Sequence, residues 1–292
     1  MKQLSYKKAF SMIEVVFVIL ILGIVSSIGA EIIADVYKSY ILERATHRSS
    51  IKTELAATQI ANRLSYSIPG TVIGRKDNTY MSISSLDNTD YTILEWIGYD
   101  NDSFSANRVP GWSGFIDLDA SSTIQLKSNG SSIGITRNII SNLGGDIGND
   151  AVLLFSGQYT VHNVGYDVSV SDGSYDGNSS GVVTVDTNSS GDIFDVNVSG
   201  RTLSEHYKLA WSAYALVPTS NGDGSFDLTL YYNYQPWNGQ NYKDGLSQPI
   251  VRNVTVFKFV GSDNTIRFKL CQRERITNEN NITICKEKAV IR

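Results

Sequence analysis

The chain has 292 residues, a formal net charge of −4, 41% apolar and only 18% charged residues. That composition excludes a disordered polyelectrolyte and a general nucleic-acid footprint, and length allows one large domain or two small ones. Sixteen tyrosines, 24 glycines and five prolines, with low charge, point to a β-rich chain of the exported kind.

Lys2, Lys7 and Lys8 open the chain; without them 22 basic residues face 29 acidic ones. Phe10 to Ala30 then carries one charge in 21 residues. As an α-helix it would span about 31 Å, the thickness of a bilayer's hydrocarbon core. The lysines place the first nine residues in the cytoplasm by the positive-inside rule. A cleaved secretory signal shares that start, but this apolar run is long for one and no clear A-x-A site follows. The helical pattern also continues through Glu31–Ile68, with Ala57, Ile60, Ala61, Leu64 and Ile68 at helical spacing, until Pro69-Gly70. The expectation is one helix over residues 10–68, membrane-spanning over 10–30.

Glu14 is the anomaly, because an acid at membrane depth costs roughly 2.5–3.5 kcal/mol on insertion scales. It either snorkels to the interface or meets a positive partner. A cut after Ala9 would supply one, since Phe10 would carry a free α-amine and Glu14 would be the fifth residue.

Lys7-Lys8-Ala9-Phe10-Ser11-Met12-Ile13-Glu14 resembles the prepilin leader of type IV pilins and type II secretion pseudopilins. Ala9 stands where that family usually has glycine. The resemblance implies cleavage between Ala9 and Phe10 by a membrane prepilin peptidase, and N-methylation of Phe10. It implies a filament in which Glu14 neutralises the amine of a neighbouring subunit. It also implies a single-pass protein of a bacterial inner membrane, with its C-terminal head in the periplasm or in a filament. Other pilins and an assembly platform would be its partners.

Beyond the leader (residues 1–9) and the helix, residues 69–292 read as a β-rich head of class α+β, its antiparallel sheet packed on the exposed half of the helix. Short strands are expected at Tyr91–Gly98, Gly114–Leu118, Ser122–Lys127 and Ala151–Ser156, and a helix at Arg137–Leu143. Gly165–Gly200 is loop-like: 23 of its 36 residues are Gly, Ser, Asn or Asp, with strands expected at Val182–Asp186 and Ile193–Val198. Asp172, Asp176, Asp186 and Asp192 are weak calcium candidates there; no other metal or cofactor is expected. Two hairpins follow. One joins Leu209–Val217 to Ser225–Tyr234, so that Asn221 to Asp227 is a turn in place of a metal loop. The other joins Val251–Val260 to Thr265–Gln272. The helix and these hairpins are similar to the larger J-type pseudopilins and W-type minor pilins, which implies a minor subunit at or near a filament tip. In an exported chain Cys271 and Cys285 form a local disulfide by default; the alternative is two free thiols.

No catalytic constellation emerges. His47, His162 and His206 are dispersed, and G-x-S-x-G, H-E-x-x-H and P-loop motifs are absent. An adhesive or DNA-uptake pilin is the alternative. It would present Tyr231, Tyr232, Tyr234 and Trp237 to a glycan or surface, or the tail Lys269, Arg273, Arg275, Lys286, Lys288 and Arg292 to DNA. The acids among those cations make a solvated mixed face the simpler reading, and no nucleic-acid partner is expected.

Overall fold

A computed structural model describes residues 11–86, 90–105, 109–167, 177–262, 264–276 and 281–291. It falls into two units, Met1–Ser49 with Glu274–Ile282, and Ser50–Arg273 with Thr283–Arg292.

In chain order the main elements are α1 (Met12–Ser65), β1 (Ile73–Lys76), β2 (Thr79–Ser82), β3 (Ile93–Gly98), α2 (Asn101–Phe104) and β4 (Gln125–Lys127). Next come α3 (Ile133–Asn142), α4 (Ile147–Asp150), β5 (Val152–Phe155), β6 (Val183–Thr184), β7 (Ile193–Asp195) and β8 (Tyr207–Ala210). The chain closes with β9 (Ser212–Ser220), β10 (Phe226–Tyr234), β11 (Leu246–Ser262), β12 (Thr265–Arg275) and β13 (Asn281–Ile291).

In the first unit, the α1 residues from Met12 to Leu42 expose their large apolar side chains. No polar group interrupts the run between Glu14 and Ser26. Among the described residues α1 is the one helix long and apolar enough to cross a membrane, as an anchor or as a signal.

In the second unit α1 becomes one-sided. Ala56, Ala57, Ile60 and Leu64 are buried, while Gln59, Asn62 and Arg63 face solvent. The buried stripe packs with Leu94, Trp96, Leu216, Leu228, Leu230, Val254, Ile266, Phe268 and Leu270 on one face of an eight-stranded sheet ordered β13-β12-β11-β10-β9-β3-β1-β2. Each such Leu or Ile contributes about 1.5–3 kcal/mol by burial. The opposite face carries Ile73, Ile97, Ala213, Ala215 and Tyr234 onto Val152, Leu154, Val164, Tyr166 and Trp237. A third cluster forms around Trp112, Phe155, Phe194, Tyr207 and Leu209, beside the small sheets β6-β5-β8 and β4-β7. The strand pairings among the described residues are antiparallel, so the chain is an α+β protein with a long apolar N-terminal helix and an antiparallel β-rich head.

Five expectations need correction. Helix α1 ends at Ser65, three residues early, because the Ile68 amide donates to the Ile97 carbonyl at 2.8 Å and Ser67 bridges Gly98. Gly114–Leu118 forms only isolated bridges, at Phe115 and Asp117. Helix α3 begins at Ile133, four residues before Arg137, and its buried residues are Ile133, Thr136 and Ile140. Leu209–Val217 is two strands in two sheets: β8 pairs with β5, β9 pairs with β3 and β10, and Trp211 is the crossing point. The Ser225–Tyr234 alternation slips at Asn233, which has φ +60° and sits at a register shift. One extra residue reverses facing, so Tyr234 joins the opposite side from Tyr232.

The hairpin turn between β9 and β10 places Gly222 and Gly224 at φ +79°, a conformation that glycine takes without strain. Cys271 in β12 and Cys285 in β13 form a disulfide, with Cα atoms 4.0 Å apart.

Candidate functional site

Two places are candidates for a functional role. The first is the start of α1. The Glu14 amide lies 3.3 Å from Ser11 Oγ and 3.1 Å from the Ser11 carbonyl, so Ser11 receives one of the free amides of the helix's first turn, that of its third residue. Ser11-Met12-Ile13-Glu14 thus has the S-x-x-E spacing of a capping box, and an acid in a first turn also favours the helix dipole. Ala9 and Phe10 lie outside the described residues.

The second is a groove of about 910 Å³ in the second unit. Five stretches meet there: the last turns of α1, the segment after β3, the facing strands β9 and β10, and the start of β11. Its floor is preorganised. The Tyr214 ring stacks on buried Trp96, centroids 5.7 Å apart and planes 18° apart. Gly98 is required beneath it, since a Cβ there would meet Tyr214 Cε2 at 2.7 Å. Arg63 lies over the outer face of that ring, 5.8 Å from its centroid. Tyr66 and Tyr99 meet edge to face at 5.7 Å, and Lys208 Nζ lies 4.7 Å from the Tyr99 centroid.

Asp100 holds the groove's rim in place. Its carboxylate accepts from the Ser103 amide at 3.2 Å and from the Ser103 hydroxyl, and its carbonyl accepts from Trp112 Nε1 at 2.8 Å. Burial pushes the pKa of its carboxyl up, against the lowering effect of Ser103. Asp102, next to it on the rim, is exposed.

A buried ionic cluster on the other face of the sheet holds the fold together. Arg75 Nε and Glu95 Oε2 are 2.8 Å apart, at 2% and 0% side-chain exposure. Tyr234 donates its hydroxyl to Glu95 Oε1 at 2.8 Å, and Arg75 Nη2 donates to the Tyr166 carbonyl at 2.9 Å. Above it, the Tyr80 hydroxyl donates to Asp167 Oδ1 at 2.6 Å and lies 3.2 Å from His162 Nδ1. Burial first, then Asp167, pushes the Tyr80 pKa well up. The network joins strands β1, β2, β3 and β10 to the one loop that carries His162, Tyr166 and Asp167, which is the arrangement of a structural tie.

The other sequence candidates are dispersed. Asp172 and Asp176 lie outside the described residues. The Asp186 carboxylate closes its own turn, accepting from the Asn188 amide at 2.9 Å and from Asn188 Nδ2 at 2.9 Å. Neither Asp186 nor Asp192 belongs to a group of three or more metal-ligating side chains among the described residues. Asp223 caps the β9–β10 turn at the Ser225 amide, 3.0 Å away, and pairs with Arg273. Lys269 pairs with Glu287 at 3.1 Å, and Glu54 takes both Lys286, at 3.4 Å, and Lys288. Four of the tail's cations therefore face carboxylates; Arg292 lies outside the described residues. Of the four aromatics proposed to face a surface, Tyr234 and Trp237 are core, and Trp237 Nε1 donates to the Asp150 carbonyl at 3.1 Å. Tyr231 packs edge on against Tyr242; Tyr232 alone of the four lines the groove. His162 contacts Tyr80 and His206 contacts Phe115.

No family model, no curated protein and no solved structure matches this chain.

Proposed function

We propose that the chain is a minor pilin or pseudopilin. In this reading a prepilin peptidase cuts between Ala9 and Phe10 and Phe10 is N-methylated. The apolar half of α1 anchors the subunit in a bacterial inner membrane and then packs against other pilins in a type II secretion or type IV pilus-like filament. The head is carried outside the cytoplasm, and its large size suits a position at or near the tip.

One observation carries this reading. Basic residues, a small residue, Phe and an acid occur in one register, and that acid stands in the first turn of an apolar helix whose continuation packs on an antiparallel sheet. A membrane-tethered hydrolase would give no reason for Glu14 in that place. The disulfide suits an oxidising compartment.

The test is co-expression of the full chain with a prepilin peptidase, followed by mass spectrometry of the N-terminus. The expected product begins at N-methylated Phe10. An intact leader, or a cut near Ala30, would refute the reading.

A further inference from the structure

We propose that the groove between the end of α1 and the β9–β10 hairpin binds a short, uncharged oligosaccharide. The proposal is independent of filament assembly, because the part of α1 that lines the groove is its polar C-terminal end (Gln59, Asn62, Arg63) and not its apolar half.

The lining decides the ligand class. Tyr66, Tyr99 and Tyr232 are each at least partly exposed, and aromatic rings offer stacking surface to the C–H face of a pyranose. Gln59, Asn62 and Gln248 bring amide donors and acceptors for vicinal hydroxyls around them. Asp102 adds an acceptor on the rim. A sugar has both faces that this surface requires, apolar and hydroxylated.

Other ligands fit less well. A peptide added as a strand needs an unpaired backbone edge, but β9 lies between β3 and β10, and β10 lies between β9 and β11. A nucleic-acid backbone would bring phosphates toward Asp100 and Asp102, with Arg63 as the one cation of the lining among the described residues. A lipid or steroid would bury the amides and carboxylates without partners. At about 910 Å³ the groove is in the upper part of the range that accommodates drug-sized ligands, which suits several linked sugars. The floor is also preorganised: Gly98, Trp96 and Tyr214 interlock, and Asp100 is held by Ser103 and Trp112. Little ordering entropy then opposes binding.

The experiment is isothermal titration calorimetry on the full chain in an amine-oxide detergent, since a glycoside detergent would compete. The probes are maltotetraose, cellotetraose, chitotetraose and mannotetraose. At least one is expected to bind saturably, with Tyr66→Ala and Asp102→Asn each weakening it tenfold or more at unchanged melting temperature. Phe115→Ala, an exposed aromatic outside the groove, is the control and is expected to bind as the parent does. The proposal is overturned if none of the four sugars binds. It is equally overturned if the groove variants bind like the parent, or if Phe115→Ala weakens binding as much as they do.

Discussion

Replacing Glu95 by Gln tests whether the Arg75–Glu95 pair ties the sheet to the layer behind it. The side chain keeps its size and loses its charge, and Arg75 remains a guanidinium at 2% exposure. At 2.8 Å, two unit charges attract by about 6 kcal/mol at an effective dielectric constant of about 20. Removing one partner of a buried pair costs about 3–5 kcal/mol, and the introduced amide oxygen would still accept from Tyr234 or Arg75, so the expected loss is about 3 kcal/mol. For a unit of this size that is a fall in Tm of about 6–12 °C, read by near-ultraviolet circular dichroism of the full chain in detergent. The double variant Arg75→Met with Glu95→Leu is expected to recover much of the loss, since well-packed apolar groups often replace a buried ion pair at little cost. A Glu95→Gln loss below about 1 kcal/mol would refute the structural role, as would a double variant less stable than the single one.

Three further outcomes are expected. Leu64→Ala, at 0% exposure beneath the sheet, should cost about 2–5 kcal/mol in urea unfolding; a smaller loss would mean the helix's last turns do not form the core. Converting Cys271 and Cys285 together to Ala should cost about 3 kcal/mol in the chain-entropy account of a 14-residue separation, and thiol labelling of the parent without reductant should find no free thiol. Glu54 is held below its ordinary pKa of 4.5, first by the hydrogen bond from Lys288 and also by Lys286. A lowered folded pKa gives stability that is complete above the unfolded value and is lost as pH falls through the folded one. Glu54→Gln should therefore flatten the stability profile on the acid side of pH 4.5 and leave the rest of its shape unchanged.

Local signals in the sequence identified the elements that one stretch can specify. The apolar run from Phe10, the Ala57–Ile60–Leu64 stripe and the glycine-bearing β9–β10 turn each reflect a single periodicity or turn chemistry. The crossing at Trp211 was illegible because apolar alternation continues unbroken through Leu209, Trp211 and Ala213 while the backbone changes sheets. The slip at Asn233 was hidden for a related reason: Tyr232 and Tyr234 keep strand chemistry on either side of the bulge. Hairpin β1–β2 is hard to read because its strands are four residues each, and β13 because Lys286 and Lys288 occupy its inward positions between Ile284 and Val290. The groove was illegible in a deeper sense. Tyr66, Asp102 and Tyr232 belong to segments whose proximity is set by sheet order, which no spacing encodes. Only Gly98, placed before Tyr99 and Asp100 at a strand end, marked a close approach, and its partner Tyr214 lies 116 positions further on.

Glu14 has two physical explanations, and they separate by charge. If its side chain served its own helix, closing a capping box whose Ser11 half is in place, it would need only a hydrogen-bonding group, because glutamine serves at that position as well as glutamate. As partner to a neighbouring subunit's α-amine it needs a negative charge, because a neutral amide cannot offset an ammonium group in an apolar bundle. Glu14→Gln preserves the cap and removes the charge, whereas Ser11→Ala removes the cap oxygen and keeps the charge. If the intersubunit pairing governs assembly, Glu14→Gln chains should be processed and folded yet fail to enter filaments in an immunoblot of sheared fibres. Ser11→Ala chains should enter them nearly as well as the parent, since an N-cap contributes only about 1 kcal/mol to a long helix. The reverse pattern, with glutamine tolerated and alanine at Ser11 not, would assign the acid to its own helix and remove the charge argument for a filament.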